Sequence, residues 1–119
     1  MPHYDRRMIL RTLCLAGVLA AAALAPASAS ASTCSAPAYP GSGYFTSLKT
    51  KHVGCKTGRK VTLAHYRCRT EHGKKGRCKR KVLGYRCSEK RNAIPTEINS
   101  RVTCKKGTRR VIYTYQQNT

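Results

Sequence analysis

Six cysteines constrain the fold of this chain more than any other feature of its sequence. They lie in the last 88 of its 119 residues, and a seventh, Cys14, precedes them in an apolar leader. An even number of cysteines in a short exported chain is typical of a disulfide framework, in which each bridge stabilises the fold by about 2–4 kcal/mol. The sequence therefore predicts three bridges within one set of residues: Cys34, Cys55, Cys68, Cys78, Cys87 and Cys104.

The first residues have the layout of a secretory signal peptide. Arg6, Arg7 and Arg11 form a basic start, the uncharged run 13–25 follows, and small residues then offer cleavage sites. The apolar run is shorter than the roughly 18 residues that a membrane-spanning helix needs. We therefore expect residues 1–31 to be removed on export and the protein to be secreted. The adjacent arginines also resemble a twin-arginine signal, so both export routes stay open.

The region that follows the leader is extremely basic. From Ser32 onward it contains 21 Lys and Arg residues against three acids, Glu71, Glu89 and Glu97, so its formal charge is +18. Such a chain repels itself when compact, and a domain of this size buries only about two-thirds of its unfolded surface. We expect the bridges to compensate. The region contains no Asp, which excludes a Ser-His-Asp triad and a pair of aspartates as catalytic groups.

The first half of the domain combines an arm, a strand and a helix. Residues 32–43 are small and contain Pro and Gly, which indicates an irregular arm. Residues 44–53 are rich in Tyr, Phe, Thr and Val and predict a strand. Apolar residues at helical spacing then predict a helix over about 58–70, with Thr57 as its N-cap.

The second half is predicted to be mostly strand. Residues 80–87 alternate, with Leu83, Tyr85 and Cys87 on the inward side, and 88–98 contain Pro95 without a clear period, which indicates a loop. Residues 100–104 and 109–115 flank Gly107 and predict a β-hairpin. Its inward residues are expected to be Val102, Cys104, Val111, Tyr113 and Tyr115. The order β-α-β-β-β predicts class α+β: one domain over 44–119, with a small antiparallel sheet and a helix packed across it.

Three short motifs carry a resemblance to a protein family. They are Cys55-x-Thr57-Gly58-Arg59-Lys60-Val61, Gly84-Tyr85-Arg86-Cys87, and Val102-Thr103-Cys104-x-x-Gly107-x-x-Arg110-Val111. Together they resemble a group of small exported proteins of high-GC Gram-positive bacteria, over residues 44–119. The resemblance implies export and the same small fold. It implies no activity, because that group is functionally uncharacterised.

The cysteine spacing suggests one set of bridges among the fifteen that six cysteines allow. Cys68 and Cys78 bracket a short step off the helix end, so a local bridge fits there. Cys55 at the helix start and Cys104 on the sheet would join helix to sheet. Cys34 would then pair with Cys87.

The sequence disfavours two kinds of chemistry, a zinc site and nucleolytic catalysis. His65, Cys68 and His72 are residue types that suit zinc, but a fourth ligand is missing and Cys68 is expected to be bridged. We expect no metal and no cofactor. His65 and His72 amid cations could also serve a ribonuclease, which is the leading alternative function. Nothing in the sequence fixes their geometry, so we expect no enzymatic activity.

The start of the predicted helix could bind an anion. Cations in a first helical turn are unfavourable against the helix dipole, and Thr57-Gly58-Arg59-Lys60 places two of them there. An anion on the free amides would relieve that conflict. The simpler interpretation, which we favour, is that both side chains reach into water.

The basic residues themselves predict the partner. They form clusters that attract any polyanion: cell-wall polymers, extracellular nucleic acid or an anionic membrane surface. Tyr85, Tyr113 and Tyr115 are expected to pack in the core and not to stack on bases. A third function, a protein inhibitor or toxin-like domain, would present the loop 88–98. The predicted polyanion-binding residues are Arg59, Lys60, Lys74, Lys75, Arg77, Lys79, Arg80, Lys81, Lys105, Lys106, Arg109 and Arg110.

Overall fold

The computed structural model describes Gly17 and residues 31–119. The predicted signal peptide lies, apart from Gly17 and Ala31, outside the described residues. Those residues form one helix and five strands, which confirms the α+β class. In chain order they are β1 (Ser32–Thr33), β2 (Gly43–Lys51), α1 (Cys55–Thr70), β3 (Arg86–Ile94), β4 (Glu97–Lys106) and β5 (Arg109–Asn118).

The strands form a single antiparallel sheet in the order β1-β2-β5-β4-β3. The helix packs on β2 and β5. The segment between α1 and β3 adds Val82 and Tyr85 to the same core. All of the core therefore lies on one face of the sheet, and it consists of Leu48, Val61, Cys68, Val82, Tyr85, Ile98, Val102, Cys104, Val111, Tyr113 and Tyr115.

The β4–β5 hairpin confirms the prediction made from alternating residues. All five residues expected to face inward are buried. The turn lies at Gly107 and Thr108, and Gly107 has a φ of +58°, in the left-handed region that favours glycine. Tyr85 is buried as well, so these tyrosines serve the core.

The helix begins three residues earlier than the sequence predicts. Its N-cap is Gly54, which makes no side-chain capping bond, so the assignment of Thr57 as the N-cap is wrong. Gly58 consequently lies in the second turn and is buried. A Cβ there would come 2.5 Å from Thr50 Cγ2, so glycine lets the helix approach β2 closely.

The predicted strand over 80–87 is largely a tight turn. The backbones of Val82 and Tyr85 bond to each other in both directions, at 2.8 and 2.9 Å. Leu83 has a φ of +49° and is 58% exposed, so the prediction that it faces inward is wrong. This turn directs both Val82 and Tyr85 into the core, and regular strand begins only at Arg86.

The predicted loop 88–98 is a second hairpin. Its strands, β3 and β4, pair from Arg86–Lys105 to Ile94–Glu97, and Pro95 and Thr96 form the connection. The inward residues of β3 include Glu89 and Arg91, which form an ion pair with N–O distance 2.7 Å and little exposed side-chain area. Charged side chains occupy core positions here, so burial alternates along β3 while hydrophobicity does not.

Three disulfides join Cys34 to Cys55, Cys68 to Cys78, and Cys87 to Cys104. The Cys68–Cys78 bridge agrees with the prediction. The expected Cys55–Cys104 and Cys34–Cys87 bridges are wrong. Because 88–94 is strand, Cys87 lies directly opposite Cys104 on the core side of the β3–β4 pair.

The N-terminal arm is tied to the sheet at several points. Ser32 and Thr33 pair with β2, and the bridge from Cys34 reaches the start of α1. Tyr39 packs edge-on against Phe45 and Tyr66. Disulfides of this kind are typical of proteins in an oxidising environment. Of the residues that the structure describes, none lies in a helix with the length and apolar character that a membrane crossing requires.

Candidate functional site

The face of the sheet opposite α1, which we call the open face, is lined by polar and basic side chains. No described element packs on it: the helix and the 71–85 segment both contribute to the core on the other face. Because strand residues alternate between faces, the cations that neighbour core residues all lie here. They are Lys49, Lys51, Arg86, Lys90, Arg101, Lys105 and Arg110.

Four of these cations form one row across four strands, which we call the cationic row. The register pairs Lys51 with Arg110, Arg110 with Lys105, and Lys105 with Arg86. Neighbouring strands are about 4.8 Å apart, so the row spans about 14 Å. Like charges directly opposite one another destabilise a sheet. An anion lying along the row would relieve that repulsion.

Arg110 uses part of its guanidinium group for hydrogen bonds within its own hairpin. Its Nη1 donates to the carbonyl oxygens of Gly107 at 2.5 Å and Arg109 at 2.8 Å. The other three members of the row are exposed. The charges of Lys51, Arg86 and Lys105 are therefore available to a ligand.

Hydroxyl and amide groups occupy much of the rest of the open face, which also carries Tyr44, Ile94 and Ile112. Ser47 and Thr46 each lie 2.6 Å from the Thr114 hydroxyl. The one acid on this face, Glu97, lies at the end remote from the cationic row and accepts bonds from Asn99 and Gln116. The face is therefore polarised along the strands, with cations concentrated at one end.

The second basic region is the basic loop, residues 74–81. Its six predicted binding residues are all exposed. Beside it lies a cleft of about 610 Å³, which we call the loop cleft. The only carboxylate in the cleft, Glu71, forms an exposed ion pair with Arg80. The lining residues are Cys68, Glu71, His72, Lys75, Gly76, Arg77, Lys79 and Arg80.

Buried polar groups hold the backbone of this loop. Arg91 donates to the carbonyl oxygens of Lys75, at 2.7 Å, and Gly76. Gln117 Nε2 donates to the carbonyl of Lys74 at 2.7 Å. With the Cys68–Cys78 bridge, these contacts fix the position of the loop cations. Binding a ligand therefore costs less conformational entropy than it would if the loop backbone were mobile.

The partners of Arg91 are themselves buried. Glu89 accepts hydrogen bonds from Arg91 at 2.7 Å, Ser100 at 2.7 Å and Tyr115 at 2.8 Å. Burial by itself would raise the pKa of the Glu89 carboxyl, but these donors outweigh it and hold that pKa below its usual value. The carboxylate is thus committed to the scaffold and is not free to act as a catalytic base.

Arg69 is the other buried cation of the scaffold. It is fully buried, donates to Gln117 Oε1 at 3.0 Å and to the Tyr39 hydroxyl at 2.8 Å, and lies over the Tyr115 ring at 4.0 Å. Its charge faces protein groups. The cations available to a ligand are those of the surface.

The remaining predicted binding residues are dispersed. Arg59 is half-buried on the helix, and Lys60 is exposed there. Lys106 turns to the core side, where its Nζ lies 5.8 Å from the centre of the Tyr85 ring, and Arg109 is its pairing partner. The alternative of an anion site at Thr57–Lys60 loses its basis, because Gly58 packs against β2 instead of opening the helix.

His65 and His72, the two histidines of the ribonuclease alternative, lie in different environments. His65 is 2% exposed and hydrogen-bonds through Nδ1 to the Tyr113 hydroxyl. Burial lowers the pKa of its imidazole to about 4. His72 is exposed in the loop cleft. His65, Cys68 and His72 do not form a metal set, since Cys68 is bridged, and the described residues hold no group of three or more His, Cys, Asp or Glu side chains that could hold a metal.

The open-face cations that the sequence analysis missed are scattered along the chain. Each alternates with a core residue on its own strand, as Lys49 and Lys51 do around Thr50. That period of two is visible in the sequence, but cross-strand register decides which cations meet. The missed residues are Lys49, Lys51, Arg86, Lys90 and Arg101.

No protein-family model, no curated protein and no solved structure matches this chain.

Proposed function

We propose that this protein is a secreted, non-enzymatic cationic module that binds polyanions outside the cell. The observation that carries the proposal is the open face, where seven cations lie, six of them exposed, and four of the seven align across the strands. Cell-wall polymers, extracellular nucleic acid and anionic membrane surfaces all present the matching charge. Binding of this kind releases counterions and weakens steeply as salt rises.

The structure reduces the support for both alternatives. A ribonuclease using His65 and His72 requires two accessible histidines, and His65 is buried. An inhibitor would present residues 88–98 as a free loop, but they lie in two paired strands and a tight turn. Neither alternative gains an observation in its favour.

Retention on immobilised heparin at graded salt tests the proposal. The test variant is Lys51→Gln/Arg86→Gln/Lys105→Gln, which removes three charges from the cationic row and keeps Arg110 in its turn. The matched control is Lys56→Gln/Lys60→Gln/Arg67→Gln, which removes three exposed charges from the helix. We expect the row variant to bind at least tenfold more weakly than the control. We also expect its log–log salt slope to be shallower by about 2–3, since each lost contact removes about 0.7–0.9.

Two results would contradict the proposal at different levels. If the wild-type protein flows through heparin at low salt, polyanion binding is wrong. If the row and helix variants lose affinity equally, the charge acts as a diffuse field and the open face is not the binding surface.

A further inference from the structure

Three hollows on the surface lie next to one another, and we call their succession the path. The first lies on the open face, has a volume of about 190 Å³, and is lined by Ser88, Lys90, Arg101 and Thr103. The second, about 270 Å³, lies at the β3 edge, and its lining includes Arg86 and Ser88. The third is the loop cleft. The first two hollows share the lining residue Ser88, and the last two share Lys79 and Arg80, so the three lie side by side.

The path crosses the free edge of the sheet. In the described residues β3 pairs with β4 on one side only. The backbone from Arg86 to Ser88 forms the rim, with Arg86 and Ser88 on the open face and Cys87 on the core side. Lys79, Arg80 and Lys81 of the basic loop lie across this rim. A ligand following the path must bend around a strand.

Cations lie along the whole path. Lys90 and Arg101 are direct cross-strand partners at its open-face end, and Lys75 and Arg77 line the loop cleft at the other end. Ser88 and Thr103 add hydroxyl groups that can donate to anionic oxygens. Glu71 is the one carboxylate in the three linings, and Arg80 neutralises it.

The linings contain no Tyr, Phe or Trp side chain, and their one aromatic ring is the imidazole of His72 in the loop cleft. Proteins that hold single-stranded nucleic acid through its bases use aromatic rings as stacking platforms. A double helix, with a persistence length of about 50 nm, is too stiff to follow a bend around one strand. The occupant must therefore be flexible and must carry its charge on the chain itself.

We propose that one linear, flexible, phosphate-rich polymer binds along this path, from the open face around the β3 edge into the loop cleft. The proposal rests on the proposed function and specifies its ligand: the chain is recognised by its phosphate groups and not by bases. Binding at both ends makes the second contact intramolecular, so a chain long enough to span the path gains affinity by effective concentration.

Chain length is the first test, with inorganic polyphosphate as the probe and calorimetry as the measurement. A chain long enough to span the path should bind one per protein, at least tenfold more tightly than a chain of a few phosphates. Equal affinity of long and short chains would overturn the path. If the path alone is wrong, heparin retention by the wild-type protein would persist. If the proposed function is wrong, that retention would be absent.

Paired variants are the second test. Lys90→Gln/Arg101→Gln removes the open-face end and Lys75→Gln/Arg77→Gln the cleft end, while Lys56→Gln/Arg67→Gln on the helix is the control. Each end variant should reduce the affinity for long polyphosphate about tenfold, with a smaller change for the control. If only one of the two end variants lost affinity for long polyphosphate, the site would be restricted to that end and the path would be rejected.

The third test separates backbone from base recognition. A single-stranded oligonucleotide and an abasic strand of equal length should bind within about twofold of each other, and a duplex of equal charge should bind more weakly. A tenfold preference for the strand with bases, or equal binding of the rigid duplex, would overturn the proposed ligand. So would tenfold tighter binding of a sulfated polysaccharide than of polyphosphate of matched charge.

Discussion

At the scale of single residues, His65 shows how one buried group makes stability depend on pH. Its imidazole is surrounded by the Tyr113 hydroxyl and by the buried charges of Glu89, Arg69 and Arg91. The pKa is about 6.5 in an unfolded chain and about 4 in the fold. Between these values the unfolded state binds one more proton, so the free energy of unfolding falls as pH falls.

We expect the protein to lose about 3 kcal/mol of stability from this histidine between pH 6.5 and pH 4. Denaturant unfolding of the disulfide-intact protein at several pH values measures it. The variant His65→Gln should lose most of this pH dependence, whatever its stability at neutral pH. The variant His72→Gln, altered in the solvent-exposed loop cleft, should keep it. An unchanged pH profile in His65→Gln would place the source elsewhere.

The lowered pKa of Glu89 acts in a separate pH range. Its stabilising contribution is present above the ordinary carboxyl pKa and is lost as pH falls through the lower value in the fold. That range lies below most of the histidine range. Data above pH 5 therefore report mainly on His65.

At the scale of elements, the contact between α1 and β2 depends on Gly58. A Cβ at this position would lie 2.5 Å from Thr50 Cγ2, and Thr50 is itself buried. Alanine would gain about 1 kcal/mol in helix propensity but would lose about 1–3 kcal/mol to overpacking. We expect Gly58→Ala to destabilise the protein by up to about 2 kcal/mol in denaturant unfolding.

A double-mutant cycle tests the cause of that loss. Thr50→Ser removes the methyl group that the new Cβ would strike and keeps the hydroxyl. In that background Gly58→Ala should cost less than half as much, because contacting residues are coupled. An equal loss in both backgrounds would show that the close approach to β2 is not responsible.

The elements also show what the sequence could and could not predict. The β4–β5 hairpin was predictable because its inward residues are hydrophobic and alternate. β3 was missed because Glu89 and Arg91 take inward positions and satisfy each other. That error separated Cys87 from its true neighbour, Cys104, and so led to two wrong bridges. The cationic row was missed because its members are distant in sequence and meet only through strand register.

At the scale of the whole molecule, its positive charge should make salt act in two opposite ways. From Ser32 onward the formal charge is +18, carried on a small body. The Debye length falls from about 30 Å at 0.01 M salt to about 8 Å at 0.15 M. Over this range of salt, the repulsion between charges on opposite faces of the molecule becomes screened. Added salt should therefore stabilise the fold while it weakens any bound polyanion.

We expect the melting temperature of the free protein to rise by several degrees between these salt concentrations, since about 1 kcal/mol shifts it by about 4–8 °C in a domain of this size. Over a tenfold rise in salt, affinity for long polyphosphate should fall by about 3.5–4.5 orders of magnitude, given about five phosphate contacts. Calorimetric scans with and without polyphosphate measure both on one preparation. The stabilisation given by polyphosphate should be largest at low salt and disappear as binding is lost. Stability that decreased with salt in the free protein would contradict the expectation that repulsion among its cations destabilises the fold.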